Sequence, residues 1–189
     1  RFSFQEVQVT AAQVDVDATR MNQARTASYR PSLSGPDDGL VSVDFVWPVL
    51  KPERTELSPP AWERADDVKA EEFSRAVPLA LFDYLRKSRS RGFVVSLSGG
   101  ADSAAVSVLV RLMVELALAE IGPEGLRARL SYIGELKSAV SAGDFMAHLL
   151  TTAYQASRNS GKVTRNAAKA VAAAVGSRHF EFNIAKLID

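Results

Sequence analysis

Six consecutive residues carry the clearest chemistry in this chain: Ser98-Gly99-Gly100-Ala101-Asp102-Ser103. The adjacent glycines permit positive φ and leave no Cβ in the way of an approaching anion. Ser98 and Ser103 add hydroxyl donors. An apolar run beginning near Asp102 predicts a helix, whose N-terminus adds N–H groups and a favourable dipole. A phosphate group is the ligand that best fits such a point. Asp102 is at odds with a bare phosphate, because two anions repel. It fits if Mg²⁺ sits between the carboxylate and phosphate oxygens. The loop therefore points to a magnesium–polyphosphate complex.

Rival motifs are absent. The G-x-x-x-x-G-K-[ST] pattern needs a Lys, whereas Ala104 and Ala105 follow Ser103. The G-x-G-x-x-G fingerprint fails because Gly99 and Gly100 are adjacent. His148 and His179 are the only histidines, and their spacing is not that of a metal pair, so ordinary polar roles are expected. Arg86, Lys87, Arg89 and Arg91 precede the strand and lie at its N-terminal end. Ligands in such sheets bind beyond the C-terminal ends, so this cluster reads as a solvated face or subunit contact. Asp37-Asp38 reads as turn chemistry, and Trp47 and Trp62 as packing anchors.

The elements that must position the loop follow from periodicity. Residues 93–97 are nearly continuously apolar, which predicts a buried parallel strand. The helix after Asp102 is apolar on most faces and is expected to be buried. Ile121-Gly122-Pro123 ends it, and the stretch to Gly143 is poorly patterned. Residues 149–154 read as a second strand and 157–162 as a polar loop. Thr164 is the expected cap of a helix over 165–175, which Gly176 stops. Residues 180–184 alternate and make a third strand. Upstream, Val68, Phe73, Val77, Leu81 and Leu85 recur at helical spacing, with Pro78 as a kink or the start of a second helix. Strands alternating with helices predict an α/β fold with a mainly parallel sheet.

The first third reads differently. Residues 6–11 alternate as a strand that continues through Val14 and Val16, and 17–27 read as a helix. Residues 29–60 hold six of the eight prolines and read as a linker, with one short strand over 41–47.

Composition sets outer bounds. The chain has 189 residues, 47% hydrophobic and 24% charged, with a formal net charge of +1. No strong field argues for nucleic acid or a membrane surface. Cysteine is absent, which excludes a disulfide, a thiolate metal site or a cysteine nucleophile within these residues and is compatible with a cytoplasmic origin. The apolar stretch 104–121 is interrupted by Arg111, Glu115 and Glu120. Each such charge costs about 2.5–3.5 kcal/mol at a membrane-helix centre, so a buried helix of a soluble domain is expected. The chain opens on Arg1 and reads as a fragment or processed chain without a signal-peptide pattern.

The loop resembles the S-G-G-x-D-S pyrophosphate loop of the N-type ATP pyrophosphatase superfamily, with five fixed positions after a strand and before a helix. The flanks narrow this. Asp83-Tyr84-Leu85-Arg86-Lys87-Ser88 and residues 151–160, followed by Thr164 and Gly176-Ser177-Arg178-His179, resemble the glutamine-dependent NAD synthetases. Phe2-Ser3-Phe4 through Val16-Asp17 is similar to the last strand of that family's nitrilase-type glutaminase domain. The resemblance spans nearly the whole chain and only the middle of such an enzyme.

That resemblance implies a Rossmann-like ATP pyrophosphatase domain, here incomplete. Residues 1–30 would be the tail of the glutaminase domain, 31–62 a linker, and 63–189 the N-terminal part of the synthetase domain. The implied reaction activates deamido-NAD with ATP as an acyl-adenylate. Ammonia from glutamine then displaces AMP to give NAD. Ser98, Gly99, Gly100, Ala101, Asp102 and Ser103 would contact ATP, with Ser96 and Leu97 lining the mouth. Ser98 is the candidate catalytic residue and Asp102 the Mg²⁺ ligand; the work is charge stabilisation of pyrophosphate. Ser157 and Ser160 are further nucleotide-contact candidates, although Gly161 stands where many relatives have a second Ser. A homo-oligomer acting on small molecules, without nucleic acid or membrane, is the expected assembly. Another amidotransferase-linked ligase, such as a GMP synthetase, and a non-catalytic nucleotide-binding module are the alternatives.

Overall fold

The computed structural model describes residues 3–9, 14–28, 43–46, 48, 60–158 and 160–185. It divides into two units, Val9–Ser58 and the remainder, Arg1–Gln8 with Pro59–Asp189. In the smaller unit helix α1 spans Val16–Arg25, close to the expected 17–27. It takes in Val16, so the expected strand does not extend through Val14 and Val16. The Asp15 carboxylate caps the helix by accepting the Ala18 N–H at 2.9 Å. Residues 43–46 are exposed and form no strand. Asp37, Asp38, Trp47 and most of the expected linker lie outside the described residues.

Residues 6–9 form no strand either, and Val7 and Val9 are exposed. Alternation alone was the signal there, and a strand persists only where its backbone groups find a partner. None of the described sheet strands pairs with this segment.

The larger unit is built on a three-stranded, all-parallel sheet in the order β1-β2-β3. Strand β1 is Phe93–Ser96, β2 is Leu150–Ala156 and β3 is Arg178–Asn183. Phe93 stands opposite Leu150 and Ser96 opposite Ala153, so β2 runs three residues past the end of β1. Because side chains alternate along a strand, Phe93, Val95, Leu150, Thr152, Tyr154 and Ala156 share one face. That face carries the core. Val94, Phe180 and Phe182 project from the other face and are exposed.

The expectation of a uniformly buried β1 is therefore corrected. The strand alternates between half-buried and exposed, and Val94 is 79% exposed. An apolar run says that both faces could be covered; among the described residues the helices cover one.

Helix α2, Val68–Ser88, contains Pro78 in its interior and continues through it, rather than ending or restarting there. Helix α3 spans Ala101–Arg129 but breaks where expected, at Gly122, whose φ of 65° and ψ of 175° are not helical. Pro123 opens the second segment, where its missing N–H costs nothing. Val110, Met113, Val114 and Ala117 of α3 are buried, but Val106 and Val108 are about half exposed, so this helix is not buried all round. Its apolar side chains outnumber the positions that face the sheet.

The poorly patterned stretch to Gly143 is in fact ordered. It contains the end of α3, a 3₁₀ turn over Gly134–Ser138, and helix α4, Ala142–Leu149. Ser141 and Asp144 form a reciprocal capping box at the start of α4. Helix α5 spans Lys162–Val175 and ends at Gly176, φ 75°, as expected. It starts earlier than the sequence suggests: Gly161 is the cap position and Thr164 sits in the first turn.

The basic cluster is occupied locally. Arg86 and Lys87 pair with Asp83 at 3.1 and 3.2 Å, Arg91 pairs with Glu135, and Arg89 lies over the Tyr132 ring. Trp62 packs beneath the Arg75 guanidinium, 5.2 Å from the ring centroid, consistent with an anchor role.

Candidate phosphate loop and adjoining cavity

The loop joins the C-terminal end of β1 to the N-terminus of α3. In open α/β sheets ligands collect at that end, where neighbouring connections part. Gly99 turns the chain with φ +82°, and Gly100 takes the cap position of α3. A Cβ on Gly99 would lie 2.4 Å from the Thr164 carbonyl oxygen and 2.8 Å from its Cα. Glycine is thus required twice, by the left-handed backbone and by the close approach of α5. At Gly100 the nearest atom to an added Cβ is the Ser98 hydroxyl oxygen, at 3.3 Å.

The hydroxyls close the loop on itself. The Ser98 N–H donates to Ser103 Oγ at 3.3 Å, and the Gly100 N–H to Ser98 Oγ at 3.2 Å. The two hydroxyl oxygens lie 3.2 Å apart, and Ser103 Oγ also donates to the Gly100 carbonyl. Ser107, fully buried one turn on, donates to the Ser103 carbonyl at 3.0 Å within α3. The Ala104 N–H bonds to the Gly100 carbonyl at 3.3 Å, so the N–H groups of residues 101–103 have no helical acceptor. These donors are available to an anion.

Asp102 is exposed in the first turn of α3, and among the described residues it has no hydrogen-bond or ion-pair partner. Its carboxylate is therefore open to a cation. No group of three or more His, Asp or Glu residues that could hold a metal by themselves occurs among the described residues. A metal at Asp102 would need its remaining ligands from a bound anion or water.

Beside the loop is a cavity of about 290 Å³ lined by Ser96, Leu97, Ser98, Tyr154, Gln155, Ser160 and Thr164. Leu97 is 2% exposed, fixed by a backbone bond from its N–H to the Ala153 carbonyl at 2.8 Å. Ser96 donates to Gln155 Oε1 at 2.7 Å across the two strands. Tyr154, 3% exposed, reaches Thr164 Oγ1 at 2.9 Å. The Thr164 and Ser160 hydroxyls hold the Tyr154 phenol below its ordinary range. Ser157 and Ser160 close a tight turn, with the Ser157 N–H donating to Ser160 Oγ at 2.8 Å. Ser160 faces the cavity.

The six-residue loop, Ser96, Leu97 and Ser160 are thus brought together. Tyr154, Gln155 and Thr164 join them as lining residues that motif reading did not assign to the site. The usable signal was positional: the end of a parallel strand next to β1 must flank the loop. His148 and His179 are apart from it. His179 Nδ1 meets the Thr152 hydroxyl at 2.9 Å, and His148 is exposed.

No family model matches the chain. Its full length is 32% identical over 197 residues to a glutamine-dependent NAD(+) synthetase of Oryza sativa subsp. indica, of which it covers 26%. Likewise 97% of it is 30% identical over 191 residues to the Homo sapiens glutamine-dependent NAD(+) synthetase, of which it covers 27%. Among solved structures, a glutamine-dependent NAD(+) synthetase from Cytophaga hutchinsonii superposes with a TM-score of 0.58 and 39% identity. That match covers 64% of this chain and 22% of the solved one. The chain therefore spans about a quarter of the length of the curated relatives it matches. The resemblance carried by the loop and its flanks holds: this Rossmann-like α/β chain is similar over nearly its whole length to glutamine-dependent NAD(+) synthetases.

Proposed function

We propose that the chain carries the ATP-pyrophosphate site of a glutamine-dependent NAD synthetase. In that reaction ATP activates the carboxylate of deamido-NAD as an acyl-adenylate, and ammonia derived from glutamine displaces AMP. The observation that carries this reading is the open array of N–H groups at residues 101–103, flanked by two serine hydroxyls and by Asp102, which has no ion-pair partner among the described residues.

The donor set fits a magnesium-bound polyphosphate better than a bare one. Among the described residues no cationic side chain lines the cavity, and the one charge on the loop is negative. A polyphosphate there needs a divalent cation to offset repulsion from Asp102. Mg²⁺, held by Asp102 and phosphate oxygens, would supply that charge and polarise the departing pyrophosphate. Ser98 and Ser103 would orient the β- and γ-phosphates, and Ser98 is the side chain best placed to stabilise charge on the leaving group. Gly99, Gly100 and Ala101 let the anion approach the backbone. Ser96, Leu97 and Ser160 would border the nucleoside side of the cavity.

On this reading residues 1–30 are the tail of a glutaminase domain, whose first residues pack into the synthetase unit through Phe4, 31–62 are a linker and 63–189 belong to the synthetase. Ser157 would act through its turn with Ser160. A cytoplasmic homo-oligomer is the assembly this reading favours. Among the described residues no helix is long and apolar enough to cross a membrane.

Calorimetric titration of the 189-residue chain with Mg·ATP tests the site. Measurable binding that is lost in Asp102→Ala, or without Mg²⁺, supports the reading; binding indifferent to both overturns it. For an intact enzyme containing this chain, amidation of deamido-NAD with ATP and glutamine is expected. Amidation of xanthylate alone would assign it to a GMP synthetase instead.

A further inference from the structure

We propose that Thr164 and Tyr154 are positioning residues that set the height of the phosphate loop through Gly99. The proposal rests on the pyrophosphate reading of that loop and adds to it a support outside the motif.

The geometry is a three-tier stack. At the bottom, Tyr154 is fixed in the small core formed with Leu97, Ala156, Ala168 and Ala172, so its ring has little freedom. Its hydroxyl meets Thr164 Oγ1 at 2.9 Å, and Thr164 Oγ1 in turn donates to the Gly161 carbonyl at 3.0 Å. Both bonds pin the first turn of α5. On top of that turn, the Gly99 backbone rests so close to Thr164 that even a methyl group cannot enter. A shift of Thr164 is transmitted directly to Gly99, because no side chain lies between them to absorb it. Gly99 lies between Ser98 and Gly100, so it sets the direction of the Ser98 hydroxyl and of the helix start.

The sequence distance is large. Thr164 stands 65 positions after Gly99 and belongs to a different strand–helix connection. The phosphate loop therefore takes its geometry from the second crossover as well as from its own.

Titration of the full chain with Mg·pyrophosphate tests this. Tyr154→Phe and Thr164→Val are each expected to weaken binding about five- to tenfold, the scale of one lost hydrogen bond. Combining them should weaken it by less than the sum of the two losses, because the Tyr154–Thr164 bond is lost in both, while Thr164→Val also loses the bond to the Gly161 carbonyl. Thr164→Ser, which keeps the hydroxyl, should bind like wild type with an unchanged melting temperature. Wild-type affinity in both Tyr154→Phe and Thr164→Val, or fully additive losses, would overturn the proposal.

Hydrogen exchange of the ligand-free chain reads the positioning directly. Faster exchange confined to residues 98–103 in Tyr154→Phe supports it, whereas unchanged or chain-wide exchange overturns it. If wild type binds no Mg·pyrophosphate, the pyrophosphate reading fails, and exchange alone then decides whether the Tyr154–Thr164 pair sets the loop.

Discussion

The ring of Phe4 stands edge-on to that of Phe82, their centroids 5.2 Å apart at an interplanar angle of 62°. Phe4 is only 5% exposed, and its N–H donates to Glu120 Oε2 at 3.0 Å while the Ser3 hydroxyl reaches Oε1 of the same carboxylate. A residue near the start of the chain thus completes the core between α2 and α3. Truncation of a buried Phe to Ala typically costs about 3–5 kcal/mol. Phe4→Ala should sit near the lower end, about 3 kcal/mol, by denaturant titration. Val7→Ala, at an exposed position only three residues on, should stay within about 0.5 kcal/mol of wild type.

The two loop glycines separate folding from binding. Gly99→Ala meets the backbone of Thr164 at a left-handed φ and should destabilise by more than about 1 kcal/mol. Gly100→Ala has an ordinary φ of −97° and needs only a small movement of the Ser98 hydroxyl. Its thermal midpoint should stay close to wild type while its Mg·ATP affinity falls, since the new methyl group stands where the anion approaches. Melting curves and calorimetry on the same preparations check both.

Acid should loosen α4 before the rest. Backbone and side-chain hydrogen bonds from Ser141, with the Val140 N–H adding, hold the Asp144 carboxyl below the ordinary Asp value. A depressed value means the contribution is present above the unfolded Asp pKa of about 3.9 and is lost as pH falls through the lower folded value. Asp144→Asn should flatten this part of the acid limb. Ser141→Ala should cost about 1 kcal/mol near neutrality. Stability against pH for the three proteins is the measurement.

Base acts at Tyr132. Its hydroxyl donates to the Leu85 carbonyl at 2.7 Å and to that of Ser90 at 3.1 Å, joining the end of α2 to the turn after α3. Burial raises the Tyr132 pKa, with Arg89 and Arg86 opposing. For a raised value the stabilisation is complete below the unfolded Tyr pKa of about 10 and is lost as pH climbs from there through the folded value. Tyr132→Phe should cost about 1 kcal/mol at neutral pH and remove that alkaline loss.

The loop and its two flanking elements were legible because local chemistry dictates them. Gly99, Gly100 and Ser103 suit a strand that turns into a helix around an anion. The Gly122-Pro123 break and the Gly176 stop were legible for the same reason. Other features depend on partners far along the chain. Whether Val94 is covered depends on which sheet face the helices choose, and an apolar run carries no record of that choice. Residues 6–9 alternate as a strand would, but alternation does not supply a neighbour. Helix α4 was hidden by its shortness, although its capping pair Ser141 and Asp144 was on view. Tyr154, Gln155 and Thr164 entered the site only once the strands were aligned, because their membership comes from register.

The break at Gly122 has a consequence for how this fold can vary. Among the described residues an added Cβ at that point meets nothing within 4 Å, so the joint has room around it. The N-terminal segment of α3 is anchored independently in the core by Val110, Met113, Val114 and Ala117. Insertions, deletions or a changed exit angle after Gly122 can therefore be absorbed at a hinge twenty residues from Asp102 without reaching the loop. Length polymorphism should concentrate at this joint, while the stretch between Ser98 and Ala117 should resist any change in residue count.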